Sequence, residues 1–293
     1  VSLDNCIGEM CGALRILVTG ASRGIGRAVV EGLVAARTGN RDVIIYAGYR
    51  NPAAVPFLEA LGTRPVRLDV TEKDCIREAC KIIREDGQLD VLINNAGVLL
   101  EREGYKVRSI VEPTISINVQ AQIAVTEAFL PLIRDSGQII NVSSGAGTRT
   151  FGSLDVRDQV ALRGADASEL PQILIKLANG ICERIGEEIC KETGTPIYGL
   201  SKAGLNCYTQ LLAREHPRLR VNACSPGFCQ TEIGGTDVVY TRQPKSAALG
   251  ASVIVKLALG ELGAKQSGFF FKEMSKPGTP LDQAVSGEES WGA

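Results

Sequence analysis

A short β-branched run, LRILVT at 14–19, meets a turn carrying Gly20, Gly24 and Gly26. A helical stretch follows, its apolar residues Ile25, Val29, Leu33 and Ala36 recurring every three to four positions. Strand, glycine turn and helix in that order constrain the fold more than any other feature of the chain. Glycines there let the backbone turn tightly and approach a pyrophosphate, whose charge the N-terminus of the next helix meets. The spacing is G-x-x-x-G-x-G, neither G-x-G-x-x-G nor the Walker pattern. The strand–turn–helix setting therefore carries the weight.

The same alternation continues. Strands are expected at DVIIYAG (42–48), VRLDV (66–70), LDVLINNAG (89–97), GQIINVSS (137–144), LRVNACSPG (219–227) and SGFFFKE (267–273). Between them, EKDCIREACKIIRE is expected as an amphipathic helix with Cys75, Ile76, Ala79, Cys80 and Ile83 on one side, and a long helical region runs through NVQAQIAVTEAFLPLI. Continuous apolar strands separated by helices imply a parallel sheet covered on both faces. The expected fold is α/β: one doubly wound Rossmann domain over residues 1–293, with about seven parallel strands and helices on both faces. Ligands of such sheets bind beyond the carboxyl ends of the strands, where every motif here falls.

One segment breaks the rhythm. Residues 150–195 are too many for a plain connection. Asp166 and Glu169 read as a capping box, and Ile173, Leu177, Ile181, Ile185 and Ile189 recur at steps of four. This predicts a helical insertion, one helix or a pair broken at Gly180. It is expected to pack on the body as a surface helix, the alternative being a wall or lid of the substrate site.

Several function classes fall away on composition. Thirty-two basic against 33 acidic residues give a net charge of −1, so nothing favours nucleic acid or an anionic membrane as partner. No stretch approaches the length of a membrane span. The opening residues lack a basic region before an apolar run, so no signal peptide is expected. The start at Val1 fits trimming or loss of a targeting segment. Nine cysteines are scattered, without C-x-x-C, beside a single histidine, His216, so no metal is expected. Reduced thiols acting as small hydrophobes suit the cytoplasm, an organelle being the alternative. His216, before a proline, reads as an exposed helix end.

The second expected strand ends in YAGYRN, with Tyr49 where an NAD site usually has an acid and Arg50 next. No Asp or Glu lies between Asp42 and Glu59. Arg23 sits inside the glycine turn. Two guanidiniums without an acid suit a 2′-phosphate, so the expected cofactor is NADPH/NADP+. Farther on, Tyr198 and Lys202 stand four apart at the head of a helix, hence on one face.

With TGASRGIG, NNAG, NVSS and YGLSK in this order, residues 13–275 resemble the short-chain dehydrogenase/reductase family. The resemblance implies that Ser144, Tyr198, Lys202 and Asn118 form a catalytic tetrad. It implies cofactor contacts from Gly20, Ser22, Arg23, Gly24, Ile25 and Gly26 in the first turn, and from Arg50, Asp69 and Val70 at the adenosine end. Asn95, Ala96 and Gly97 would line the adenosine side. Pro226, Gly227, Cys229 and Thr231, with Tyr198 and Lys202, would hold the nicotinamide end. Between Ser144 and Tyr198 lie 53 residues, far more than in typical members. That resembles the carbonyl reductase branch, whose members are often monomeric because the extra helices cover the usual dimer face.

The chemistry so implied is reduction of an aldehyde, ketone or quinone to an alcohol. A free tyrosine, with a pKa of about 10, donates a proton poorly near neutrality. The Lys202 ammonium beside it favours the phenolate. Ser144 would stabilise the developing alkoxide, and Asn118 would support a water that refills the proton. An ene-reductase is a second enzymatic reading, and a non-catalytic NADP(H)-binding regulator is a third. Tyr198 argues against the former and the filled tetrad against the latter. The substrate pocket is expected from the insertion, the 98–112 loop and the 232–246 segment, the last as a mobile lid.

Overall fold

The structure, a computed structural model, describes residues 12–37, 42–103, 105–186, 195–232, 243–272 and 278–281. Its centre is β1 (Leu14–Val18), flanked by β2 (Val43–Tyr49) and β4 (Leu89–Asn94). Outside these lie β3 (Arg64–Arg67) on one side and β5 (Ile133–Val142), β6 (Arg220–Cys224), β7 (Phe269–Phe271) and β8 (Thr279–Pro280) on the other. The order is 3-2-1-4-5-6-7-8.

Side chains on a strand alternate between faces, and here both faces are apolar. Leu17, Leu92, Ile139 and Val221 stand in register across β1, β4, β5 and β6 and enter one core. Ile16, Val18, Val91, Ile93 and Ile140 point the other way into a second core. The first is covered by α3 (Lys73–Asp86), α4 (Val107–Ile115), α5 (Ala121–Phe129) and α9 (Pro196–Glu215). The second is covered by α1 (Gly24–Ala35), α2 (Val55–Ala60) and α10 (Ala247–Ala258). The double winding expected from sequence is thus present, and α3 buries the five residues named above.

Seven strands are parallel, as expected, and an eighth adds to them. Thr279–Pro280 pairs antiparallel with β7. A two-residue edge strand ending in proline leaves no periodicity to read. β3 ends at Arg67, short of the expected 70. Leu68 and Val70 are still buried, and Leu68 N–H still donates to Tyr49 O. β5 starts earlier than expected, at Ile133, through an irregular register opposite Leu89–Val91.

The segment after β5 forms α6 (Gly145–Ser153), α7 (Val156–Gly164) and α8 (Leu170–Ile185), with 187–194, including Ile189 and Cys190, outside the described residues. α8 is continuous through Gly180, so the expected break is absent. Its buried face is Leu170, Leu174, Ala178, Ile181 and Cys182, rotated from the expected stripe, of which only Ile181 is buried. A strict step of four drifts around a helix of 3.6 residues per turn, so it cannot mark one face for long. Asp166 does cap, but ahead of the helix. Its Oδ1 accepts Ser168 N–H, Ser168 O–H and Glu169 N–H, while Glu169 precedes Leu170 without a side-chain cap. α8 packs on α4 and α9 as a surface layer. His216 ends α9 as expected, though half-buried.

Candidate active site

The strand order reverses between β1 and β4, the place where open α/β sheets bind ligands. A cleft of about 830 Å³ opens there. Its floor is knitted by two side chains. Asn95, just past β4, donates from Nδ2 to Thr19 O at 2.9 Å and to Gly20 O at 3.2 Å. Thr19 Oγ1 in turn accepts the backbone N–H groups of Asn95 and Ala96 at 2.9 and 3.0 Å. The glycine turn is thereby tied to the end of β4.

That turn fits a dinucleotide phosphate. Gly20 and Gly24 adopt φ +65° and +54°, which L side chains rarely take. A Cβ at Gly26 would stand 2.1 Å from Gly20 O and 2.5 Å from Asn95 Nδ2. Arg23, the residue capping α1, supplies no side-chain cap bond, and no acid occupies the first turn. The leading amides of α1 are therefore open to an anion at the positive end of the helix.

Every expected cofactor contact lines this cleft, from Gly20 to Gly26 through Arg50, Asp69, Val70 and Asn95–Gly97 to Pro226, Gly227, Cys229 and Thr231. Asp69 is held by Thr71, whose N–H and hydroxyl donate to its Oδ1 at 3.0 and 2.7 Å. Arg23 also has a partner within the protein. Its Nη1 pairs with Glu232 at 2.8 Å, an acid 209 residues away that sequence reasoning left out. Both side chains are more than half exposed. Such pairs are worth about 0–1 kcal/mol, so a dianionic phosphate can displace the carboxylate. Arg50 stands exposed at the rim.

Ser144, Tyr198 and Lys202 line the same cleft. Ser144 caps α6, its Oγ accepting Ala146 N–H at 3.1 Å. That bond uses an acceptor lone pair and leaves the hydroxyl proton available to donate. Lys202 is 4 % exposed on α9. Its Nζ donates to Val142 O at 2.9 Å and lies 5.7 Å from the centre of the Tyr198 ring. Burial pushes the lysine down to about 8, partly opposed by the Cys224 thiol, itself pushed up by burial to about 12.

Asn118 is close but stands behind the wall. It is fully buried in a five-residue π-helical stretch, Ser116–Gln120, between α4 and α5. Single π turns of this kind often mark functional positions. Its Oδ1 accepts Val98 N–H at 2.8 Å, and its Nδ2 donates to Val98 O and Ser201 Oγ. A Cβ at Gly97 would stand 3.0 Å from Asn118 Oδ1 and 3.5 Å from Lys202 Nζ, so this glycine admits both.

The family model described as short chain dehydrogenase matches residues 15–155. Carbonyl reductase [NADPH] 1 of Sus scrofa is 32% identical over 259 residues, covering 83% of this chain and 86% of that protein. The chain belongs to the short-chain dehydrogenase/reductase family. The Bos taurus carbonyl reductase [NADPH] 1 is 31% identical, covering 88% of this chain and 92% of that protein. Among solved structures, salutaridine reductase from Papaver somniferum superposes with a TM-score of 0.72 at 24% identity, covering 89% of this chain and 99% of that one. An NADPH-bound carbonyl reductase from chicken fatty liver gives 0.62 at 25% identity, covering 90% and 94%.

Within this short-chain dehydrogenase, several cleft residues escaped sequence reasoning. Ser225 Oγ accepts the N–H groups of Gly145 and Gly227, joining the Ser144 corner to the Pro226–Gly227 turn. Its place before Pro-Gly was the available signal. Arg149 and Phe228 also line the cleft, and so do Thr195, at the end of the insertion, and Lys245, in the 232–246 segment, two stretches expected to build the substrate pocket. Neither α7 nor α8 lines it, in keeping with the expected surface role of the insertion. The expected lid lies largely outside the described residues, which omit 233–242.

Proposed function

We propose that this enzyme reduces an aldehyde, ketone or quinone to an alcohol with NADPH, using Tyr198 as proton donor. The observation that carries the reading is that Ser144, Tyr198 and Lys202 line the same cleft as the glycine turn. Bound in that cleft, NADPH supplies the hydride. The chain's own residues do the rest. The turn 20–26 and α1 hold the pyrophosphate, Arg50 and Arg23 the 2′-phosphate, and Asp69 the adenine.

Ser144 donates a hydrogen bond from its hydroxyl to the substrate oxygen, stabilising charge as it develops there. Tyr198 gives that oxygen a proton, and the adjacent Lys202 ammonium stabilises the phenolate left behind. Asn118, joined to Val98 behind Lys202, supports the water that returns the proton. The test is loss of reduced-cofactor absorbance with a panel of aldehydes, ketones and quinones. NADPH binding without turnover of any carbonyl would favour a regulatory protein, and turnover of activated C=C bonds alone an ene-reductase.

The phosphate reading makes its own prediction. Arg50→Asp should move the NADH/NADPH ratio of kcat/KM toward NADH by about 10- to 100-fold, the worth of a charge-assisted bond of 1.5–3 kcal/mol. An unchanged ratio counts against it.

We also assign the chain as one domain acting as a monomer in the cytoplasm. α8 covers α4 and α9, the surface otherwise open for pairing. The cysteines within the described residues are all free, and burial pushes Cys80 up to about 11 and Cys207 to about 12, so these thiols suit a reducing compartment. Light scattering should return the mass of a single chain; a dimer would refute the assignment.

A further inference from the structure

We propose that Glu101 is a positioning residue for Tyr198, a role that rests on the reading of Tyr198 given above. Glu101 lies in a short 3₁₀ turn, Leu100–Glu103, that follows the Asn95–Gly97 corner. A glutamate on such a turn ordinarily faces solvent. Glu101 is 4 % exposed, and its Oε1 accepts the backbone N–H of Tyr198 at 2.6 Å, from 97 residues away.

Tyr198 is the third residue of α9, so its amide is one of those with no partner inside the helix. Local capping does not serve it. Thr195 makes no side-chain cap bond, and the first turn of α9 holds no acid. A carboxylate delivered from a distant turn does the work of the missing cap. The charge-assisted bond and the positive helix end both favour it there.

The amide so held belongs to the residue whose hydroxyl must meet the substrate oxygen. The same stretch of chain is anchored a few residues upstream. Asn118 clamps Val98 through both its N–H and its C=O, and Val98 and Leu99 line the cleft. From Val98 to Glu101 the chain is thus pinned to Asn118 at one end and to the head of α9 at the other. The cleft wall and the proton donor are held in one register. The hydroxyl of Tyr198 then arrives already aimed, which is where orientation lowers a barrier.

Three variants, assayed with Tyr198→Phe alongside, test this. Glu101→Ala removes the acceptor, Glu101→Asp draws it back by one methylene, and Glu101→Gln keeps an acceptor oxygen in place. We expect Ala and Asp to lose about 10- to 100-fold in kcat, the cost of a small misplacement, with NADPH affinity and melting temperature little changed. Gln should recover kcat to within about threefold, because the amide oxygen still accepts the N–H. Wild-type kcat in Glu101→Asp overturns the proposal. So does a kcat loss in all three variants matched by lost NADPH binding, which marks a role in stability alone. If Glu101→Ala fails to fold, the contrast of Asp with Gln decides. An inactive Tyr198→Phe beside unaffected Glu101 variants refutes the Glu101 role only. An active Tyr198→Phe refutes the reading beneath it.

Discussion

Tyr198→Phe should lower kcat/KM for carbonyl reduction by about 10²- to 10⁴-fold, the range over which a positioned general acid contributes. NADPH binding should stay close to wild type. The substitution removes one oxygen and keeps the ring, so its placement 5.7 Å from Lys202 Nζ persists. The expected cofactor contacts of the glycine turn, Arg50 and Asp69 do not involve the lost oxygen. Ser144 and Lys202 remain, so residual turnover above the uncatalysed rate is expected from orientation and hydrogen bonding alone. Cofactor titration and steady-state kinetics on the same preparation separate the effects. Retention of most activity would remove Tyr198 from the mechanism. Loss of activity with equal loss of NADPH affinity would make it a binding residue instead.

The fold was legible because it is written in periodicities that two apolar faces impose. Leu17, Leu92, Ile139 and Val221 form one row across the sheet, and each lies inside an apolar run that could be read without knowing its neighbours. The same holds for α3, where Cys75, Ile76, Ala79, Cys80 and Ile83 are all buried as expected. What failed did so where local pattern and tertiary packing parted. α8 has apolar residues on more than one side, so Ile173, Leu177 and Ile185 are only half-buried while Leu174 and Ala178 take the core. Which side wins depends on α4 and α9, distant in sequence. β8 pairs two residues, too few for any period.

The site divides along the same line. Gly20, Gly24 and Gly26 were readable because their role is a backbone conformation set within a few residues, and Tyr198 and Lys202 because one helix face joins them. Glu101, Glu232 and Ser225 were not. Glu101 reaches Tyr198 across 97 residues and Glu232 reaches Arg23 across 209, and no local spacing encodes either meeting. Asn118 was named from the resemblance, yet its burial behind Val98 belongs to the tertiary fold.

Lys202→Met should cost catalysis about as much as Tyr198→Phe while making the folded chain more stable. The catalytic loss follows from removing the cation that stabilises the Tyr198 phenolate. The gain follows from burial. Lys202 is held at about 8 against an ordinary 10.5, so below pH 8 the folded chain carries a buried ammonium at a cost on the order of 3 kcal/mol. Methionine has similar length and no charge. It leaves Val142 O without its donor, which offsets roughly 1 kcal/mol of the gain. A higher melting temperature of the cofactor-free variant at neutral pH is therefore expected. The pH dependence gives the sign independently. Between about 8 and 10.5 the unfolded lysine still binds a proton that the folded one has released, so wild-type stability rises with pH across that window. In Lys202→Met that rise should be absent. Denaturant midpoints measured at neutral pH and above pH 9 on both proteins decide it. A variant less stable than wild type at neutral pH, with the wild-type slope retained, would show that the buried charge is not the destabilising element.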